Sequence, residues 1–125
     1  MTFTAGQQQA VESWDRGDIC VVAGPGSGKT LVLVERMRWL VDTKGIDPAH
    51  ILAITFTEKA ARQMLERLVR EGAGPDGDKR QAYHRTRIST IDGFCAGFLR
   101  DQALEAPIDP EFKVMDAWQA EMELR

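Results

Sequence analysis

The 125-residue chain is 43% hydrophobic and 28% charged, the range of an ordinary globular domain, which excludes collagen-like and wholly disordered classes. A chain of this length supports one core but not two lobes with a cleft between them. Sixteen basic and 19 acidic side chains leave a net charge of −3, but the acidic excess lies in residues 101–125, so a polyanionic partner is not excluded.

Residues 4–16 predict a short helix, with Thr4 as N-cap, Ala10, Val11 and Trp14 on its apolar side, and Gly17 as its stop. Ile19 to Ala23 is a continuous apolar run rich in β-branched residues, the pattern of a strand covered on both faces of a parallel sheet. Gly24-Pro25-Gly26-Ser27-Gly28 breaks it. From Lys29 to about Thr43, the positions Leu31, Val34, Met37 or Arg38, and Val41 recur at helical spacing, and Gly45 supplies a stop. A turn at Asp47-Pro48 leads to a strand at Ile51–Thr55. A second helix is expected from about Thr57 to Glu71, with Ala60, Ala61, Met64, Leu65, Leu68 and Val69 on one stripe and Gly72 closing it. Ala73 to Arg85 has no periodicity and reads as an exposed loop.

Arg87–Thr90 predicts a short third strand, followed by a helix from about Asp92 to Ala103 with Phe94, Cys95, Phe98 and Leu99 inward. Pro107 and Pro110 break the pattern, and a final amphipathic piece begins near Asp116. Strands alternating with helices indicate βαβ units, hence an α/β class with a parallel sheet. Cys20 and Cys95 fall in apolar segments without metal-ligand spacing and read as buried, reduced thiols. No apolar run approaches the roughly 18 residues of a membrane helix, and the first residues lack the regions of a signal peptide. The expected location is cytoplasmic, with no membrane partner.

The chemistry begins at Ala23-Gly24-Pro25-Gly26-Ser27-Gly28-Lys29-Thr30, between a predicted buried strand and a predicted helix. Gly26 and Gly28 can take positive φ, so successive N–H groups converge on phosphate oxygens at the positive end of the helix. Lys29 would reach the β and γ phosphates of a nucleoside triphosphate, and Thr30 would offer its hydroxyl to Mg²⁺. Ala23 replaces the first glycine of the usual pattern. Residue spacing alone also allows a glycine-rich turn that binds nothing, and the motif does not say how the triphosphate is used.

Two further segments narrow the choice: Ile51-Leu-Ala-Ile-Thr-Phe-Thr-Glu-Lys-Ala-Ala-Arg-Gln-Met-Leu-Glu-Arg67 and Ile88-Ser-Thr-Ile-Asp-Gly-Phe-Cys95. With Gln7 and the phosphate loop, in this order, the chain resembles the N-terminal part of superfamily I DNA helicases of the UvrD/Rep class. Its Thr-Ile-Asp-Gly-Phe-Cys segment is similar to the RecB and AddA helicase-nuclease branch, where aspartate often replaces histidine. The resemblance implies a P-loop NTPase (RecA-like) parallel sheet with flanking helices, present as an incomplete domain. Residues 1–104 would be the ATP-binding 1A segment and residues 105–125 the start of the connection to the 1B insertion.

The same resemblance implies ATP and Mg²⁺ as cofactors and the following roles. Gln7 would read the adenine edge beside Ala23, Gly24, Pro25, Gly26, Ser27, Gly28, Lys29 and Thr30, with Lys29 and Thr30 catalytic and Thr30 on the metal. Thr55, Phe56, Thr57, Lys59, Thr90, Asp92 and Phe94 would face single-stranded DNA. The residues themselves leave other readings open: a solvated Gln7, a core Phe56, a Thr57 N-cap, an Asp92 cap. Glu58 stands where this motif usually has asparagine. Lys79, Arg80, Arg85 and Arg87, interleaved with Asp76 and Asp78, read as a solvated loop.

Hydrolysis also needs a carboxylate at the end of another strand, and no apolar run ending in Asp-Glu occurs. The chain therefore reads as the first segment of an ATP-dependent DNA helicase or translocase of repair or recombination. Its expected partners are single-stranded DNA, the remainder of the helicase chain with a second RecA-like lobe, and a nuclease partner. Two alternatives remain: a small P-loop phosphotransferase, which would need an acceptor pocket and an arginine-rich lid, and a non-catalytic nucleotide-binding remnant.

Overall fold

The computed structural model describes residues 2–15, 17–105 and 107–123. Helix α1 (Ala5–Glu12) starts on Thr4, whose hydroxyl accepts the Gln7 N–H while the Gln7 side chain accepts the Thr4 N–H, a reciprocal capping box. It is shorter than the predicted span of residues 4–16. Trp14 lies beyond its end, with its ring centroid 6.3 Å from that of Trp39 in an edge-on arrangement and the Lys44 ammonium 5.2 Å and 5.0 Å from the two centroids.

Ile19–Ala23 is not a strand, which corrects the sequence reading. Backbone N–H and C=O groups of an extended segment need a neighbouring strand. Among the described residues β1 (Leu52–Thr55) and β2 (Arg87–Thr90) pair only with each other, in parallel, with Thr55 opposite Thr90. The run is exposed instead, Val22 at 93%. Cys20 and Cys95 are free as expected but exposed, so their predicted burial is also corrected.

Helix α2 (Lys29–Asp42) buries Val32, Val34 and Met37. Val32 replaces the predicted Leu31, which is half-buried, as is Val41. A single 3₁₀ turn, Pro48–His50, capped by Asp47, leads into β1. Helix α3 (Glu58–Ala73) begins at Thr57, whose hydroxyl accepts the Ala60 N–H, and turns Ala61, Met64, Leu68 and Val69 inward. Gly72 does not close it. A Cβ there would lie 2.7 Å from the Tyr83 ring, so the missing side chain admits that ring against the helix.

Tyr83 belongs to helix α4 (Gly77–Tyr83), which replaces the predicted loop of residues 73–85. Asp76 caps it by accepting the Lys79 N–H, and two of its side chains meet Asp42: the Lys79 ammonium at 2.8 Å and the Tyr83 hydroxyl, which donates at 3.0 Å. The core joins Val34 and Met37 of α2, Ile51 and Ala53, Met64, Leu68, Val69 and Ala73 of α3, and Tyr83. Burial pushes the Tyr83 hydroxyl pKa up, and the hydrogen bond and charge of Asp42 push it further.

Helix α5 (Ile91–Asp101) is capped by Thr90, which accepts the Gly93 N–H, and not by Asp92. Of its predicted inward face, Phe94 and Leu99 are half-buried while Cys95 and Phe98 are exposed; the small Ala96 is the buried residue. Nothing among the described residues covers the rest of that face. Beyond it, the Arg100 guanidinium lies 4.7 Å from the Phe112 ring centroid. Helix α6 (Ala117–Glu123) follows Asp116, where the final piece was expected.

Candidate functional site

A cleft of about 950 Å³ lies between α1, the Ile19–Ala23 run, the glycine loop and the start of α2. Its polar floor is the loop. Gly26 and Gly28 take φ of +75° and +79°, which glycine alone adopts without strain. Among the described residues the N–H groups of Gly26 and Gly28 have no acceptor, and a Cβ at Gly24 or Gly26 would meet nothing within 4 Å. Helix α2 starts directly after Gly28, so the free N–H groups of its first turn point the same way. These features fit a phosphate chain on a backbone cradle.

The loop is held by its own polar groups. Ser27 donates from its hydroxyl to the Gly24 carbonyl at 2.6 Å, and the Lys29 ammonium donates to the carbonyls of Ala23 and Gly24 at 3.0 and 2.7 Å. Pro25 fixes the backbone between them. The ammonium thus lies across the mouth of the loop, where phosphate oxygens would meet it.

Gln7 reaches the same place from α1, donating from Nε2 to the Ser27 carbonyl at 3.1 Å and accepting the Thr4 N–H on Oε1 at 2.8 Å. An amide has two donors and two lone pairs, so one of each remains free for the edge of a base. The helix that carries Gln7 is anchored by Arg36, which donates to the carbonyls of Ala10 and Val11, both at 3.0 Å. Arg36 lines the cleft and has no signal in the sequence, because its partners are main-chain carbonyls at the end of another helix. Thr30 faces a second cleft of about 390 Å³, shared with Thr55, Gln63 and Arg67. No group of three or more His, Cys, Asp and Glu placed to hold a metal ion occurs among the described residues.

The second set of candidates gathers where β1 and β2 end side by side. Thr55 and Thr90 are register partners, and immediately past them α3 and α5 begin, so two positive helix ends share one sheet edge. Phe56 is 96% exposed on this edge, which removes the core reading for it. Thr57 is a cap, so the alternative kept open for that residue holds. Lys59 and Asp92 are exposed, whereas Phe94 is half-buried and its ring stacks on Phe98 at 6.4 Å. The sequence carries no sign of one contact here: the Thr90 hydroxyl donates to Glu58 Oε1 at 2.9 Å.

Three of the basic residues farther along are occupied within the fold. Lys79 pairs with Asp42, Arg85 with Asp47 at 3.1 Å, and Arg80 donates to the Gly74 carbonyl at 3.0 Å. No helix among the described residues is long and apolar enough to cross a membrane.

Residues 3–125 match the family model of the UvrD/REP helicase N-terminal domain. The chain is similar to the ATP-dependent DNA helicase PcrA of Bacillus subtilis, 42% identical over 110 residues that cover 88% of this chain and 14% of that protein. PcrA of Staphylococcus aureus is 38% identical over 110 residues, with the same 88% and 14% coverage. An ATP-dependent helicase/nuclease chain of Syntrophomonas wolfei is 36% identical over 129 residues, 96% of this chain and 10% of that protein. The chain therefore spans a small fraction of the length of these curated relatives.

Proposed function

This chain belongs to the family of UvrD/REP helicase N-terminal domains, and we propose that it is the ATP-binding part of an ATP-dependent DNA helicase or translocase acting on single-stranded DNA in repair or recombination. Within this reading the fold is a RecA-like P-loop segment, with residues 1–104 as 1A and residues 105–125 leading toward 1B. Its further partners are a second RecA-like lobe and a nuclease partner, and its location is the cytoplasm. The observation that carries it is the convergence of Gln7, two positive-φ glycines and Lys29 on one cleft.

ATP would supply the phosphoryl group, and Mg²⁺ would offset the negative charge of its phosphates. The residues of this chain bind and orient. N–H groups of residues 26–30 hold the phosphates, and Lys29 exchanges carbonyl oxygens for phosphate oxygens of greater negative charge. The Thr30 hydroxyl oxygen would hold the metal, and the free donor and acceptor of Gln7 would read adenine. At the sheet edge, Phe56 presents a face on which any base stacks, with Thr55, Thr57, Lys59, Thr90, Asp92 and Phe94 around it.

The test is the ATPase rate of the full-length protein with and without single-stranded DNA. Stimulation by DNA is expected; a rate indifferent to DNA overturns the motor reading.

A further inference from the structure

We propose that Glu58 is a positioning residue: its carboxylate ties the Phe56 turn to the start of α5 through Thr90, and so fixes the platform on which a base stacks. The inference rests on the reading of this edge as a single-stranded DNA site. A threonine hydroxyl has one proton, and that of Thr90 goes to Glu58 at 2.9 Å while its oxygen accepts the Gly93 N–H at 3.1 Å. The Thr90 donor is thereby committed inside the protein and is not offered to a DNA phosphate.

Beyond the ladder pair Thr55 and Thr90, the two chain segments diverge into separate helices. Among the described residues this is the one side-chain hydrogen bond between the last residue of β2 and the first turn of α3. Gly93 keeps the approach open, since a Cβ there would lie 3.1 Å from Thr90 Oγ1 and 3.4 Å from Glu58 Oε1. Glu58 occupies the first turn of α3 while its oxygen lies at the first turn of α5, so one negative charge answers two positive helix ends. An asparagine or a shorter residue at 58 would lack the reach to Thr90. Phe56, exposed beside this tie, is left to engage the base face.

The experiment measures ATPase activity of the full-length protein against single-stranded DNA concentration for wild type, Glu58→Ala and Glu58→Gln. Glu58→Ala is expected to raise the DNA concentration for half-maximal stimulation about three- to tenfold, with the rate at saturating DNA unchanged, the loss of one ordinary hydrogen bond. Glu58→Gln keeps an accepting oxygen and is expected to stay within about twofold of wild type. Wild-type affinity in Glu58→Ala, tighter binding in it, or equal loss in both variants overturns the proposal. If wild type itself does not respond to DNA, the parent reading fails. Thermal unfolding then decides the contact alone: a midpoint lowered by Glu58→Ala but not by Glu58→Gln sustains the tie, and equal midpoints overturn it.

Discussion

Two regions of this small chain are held together on opposite terms. From Val34 to Tyr83, helices α2, α3 and α4 close over β1, and Val34, Leu68 and Tyr83 lose all contact with solvent. From Ile19 to Lys29 the backbone is exposed along almost its whole length and is shaped by Ser27, Lys29 and Gln7, each bonded to a main-chain carbonyl. The first region derives its stability from apolar area removed from water, and its polar groups are secondary. The second has scarcely any buried area, and its form follows from two glycines and a few directed hydrogen bonds. Stability and chemistry should therefore be separable by mutation.

The sharpest separation is Lys29→Ala. Its ammonium touches only carbonyls of its own loop, so the unfolding midpoint should barely move, while turnover of the full-length enzyme should fall about 10³-fold with loss of the cation that follows the phosphoryl group. An unfolding midpoint that drops along with activity would break the comparison. Leu68→Ala is the mirror case: a wholly buried side chain replaced by a cavity should cost about 3 kcal/mol in denaturant titration, with no change in nucleotide affinity of the folded fraction.

Gly72→Ala sharpens the packed side further. In most helices this change stabilises, but here the methyl would lie 2.7 Å from the Tyr83 ring, and a loss of about 2 kcal/mol is expected by the same titration. Thr57→Ala, which removes the cap of α3, should cost about 1 kcal/mol.

The smallest effect is alkaline. The folded state raises the Tyr83 pKa, so the neutral hydroxyl is favoured and its contribution is complete below the ordinary value of about 10. Stability should fall as pH rises above that value toward the folded pKa. Tyr83→Phe should lack this decline when melting midpoints are followed from pH 8 to about 11.

Legibility in the sequence follows the range of the interaction. The Thr4 and Thr57 caps, the start of α2 after Gly28 and the parallel sense of β1 and β2 rest on neighbours a few residues away or on simple alternation, and these are readable. Ile19–Ala23 has the composition of a buried strand, but composition does not supply the adjacent strand that would pair it. Helix α4 is invisible because its anchors, Gly72 and Asp42, lie outside it and it carries a single large apolar residue, Tyr83. The inward face expected of α5 fails for the same reason as the strand, since Phe98 faces outward where no described element covers it.

At the candidate site, the loop residues are legible by pattern, and Gln7 and Phe56 by the resemblance. Arg36 and the link between Glu58 and Thr90 are not, because each joins positions far apart in the chain. Capping goes to Thr90 in place of Asp92, since only the residue preceding the first helical turn has its side chain beside the free N–H groups.

The notch at Gly72 acts as a keyway for chain length. Adding one residue to α3 before it would turn the notch about 100° and carry it about 1.5 Å along the axis, away from the Tyr83 ring. Insertions should accordingly be rejected between the Thr57 cap and Gly72. They should be tolerated within the exposed Gly74-Pro75 connection, which precedes the capping aspartate of α4 and leaves that helix intact. Relatives that vary in length between the two sheet strands are expected to place the variation there.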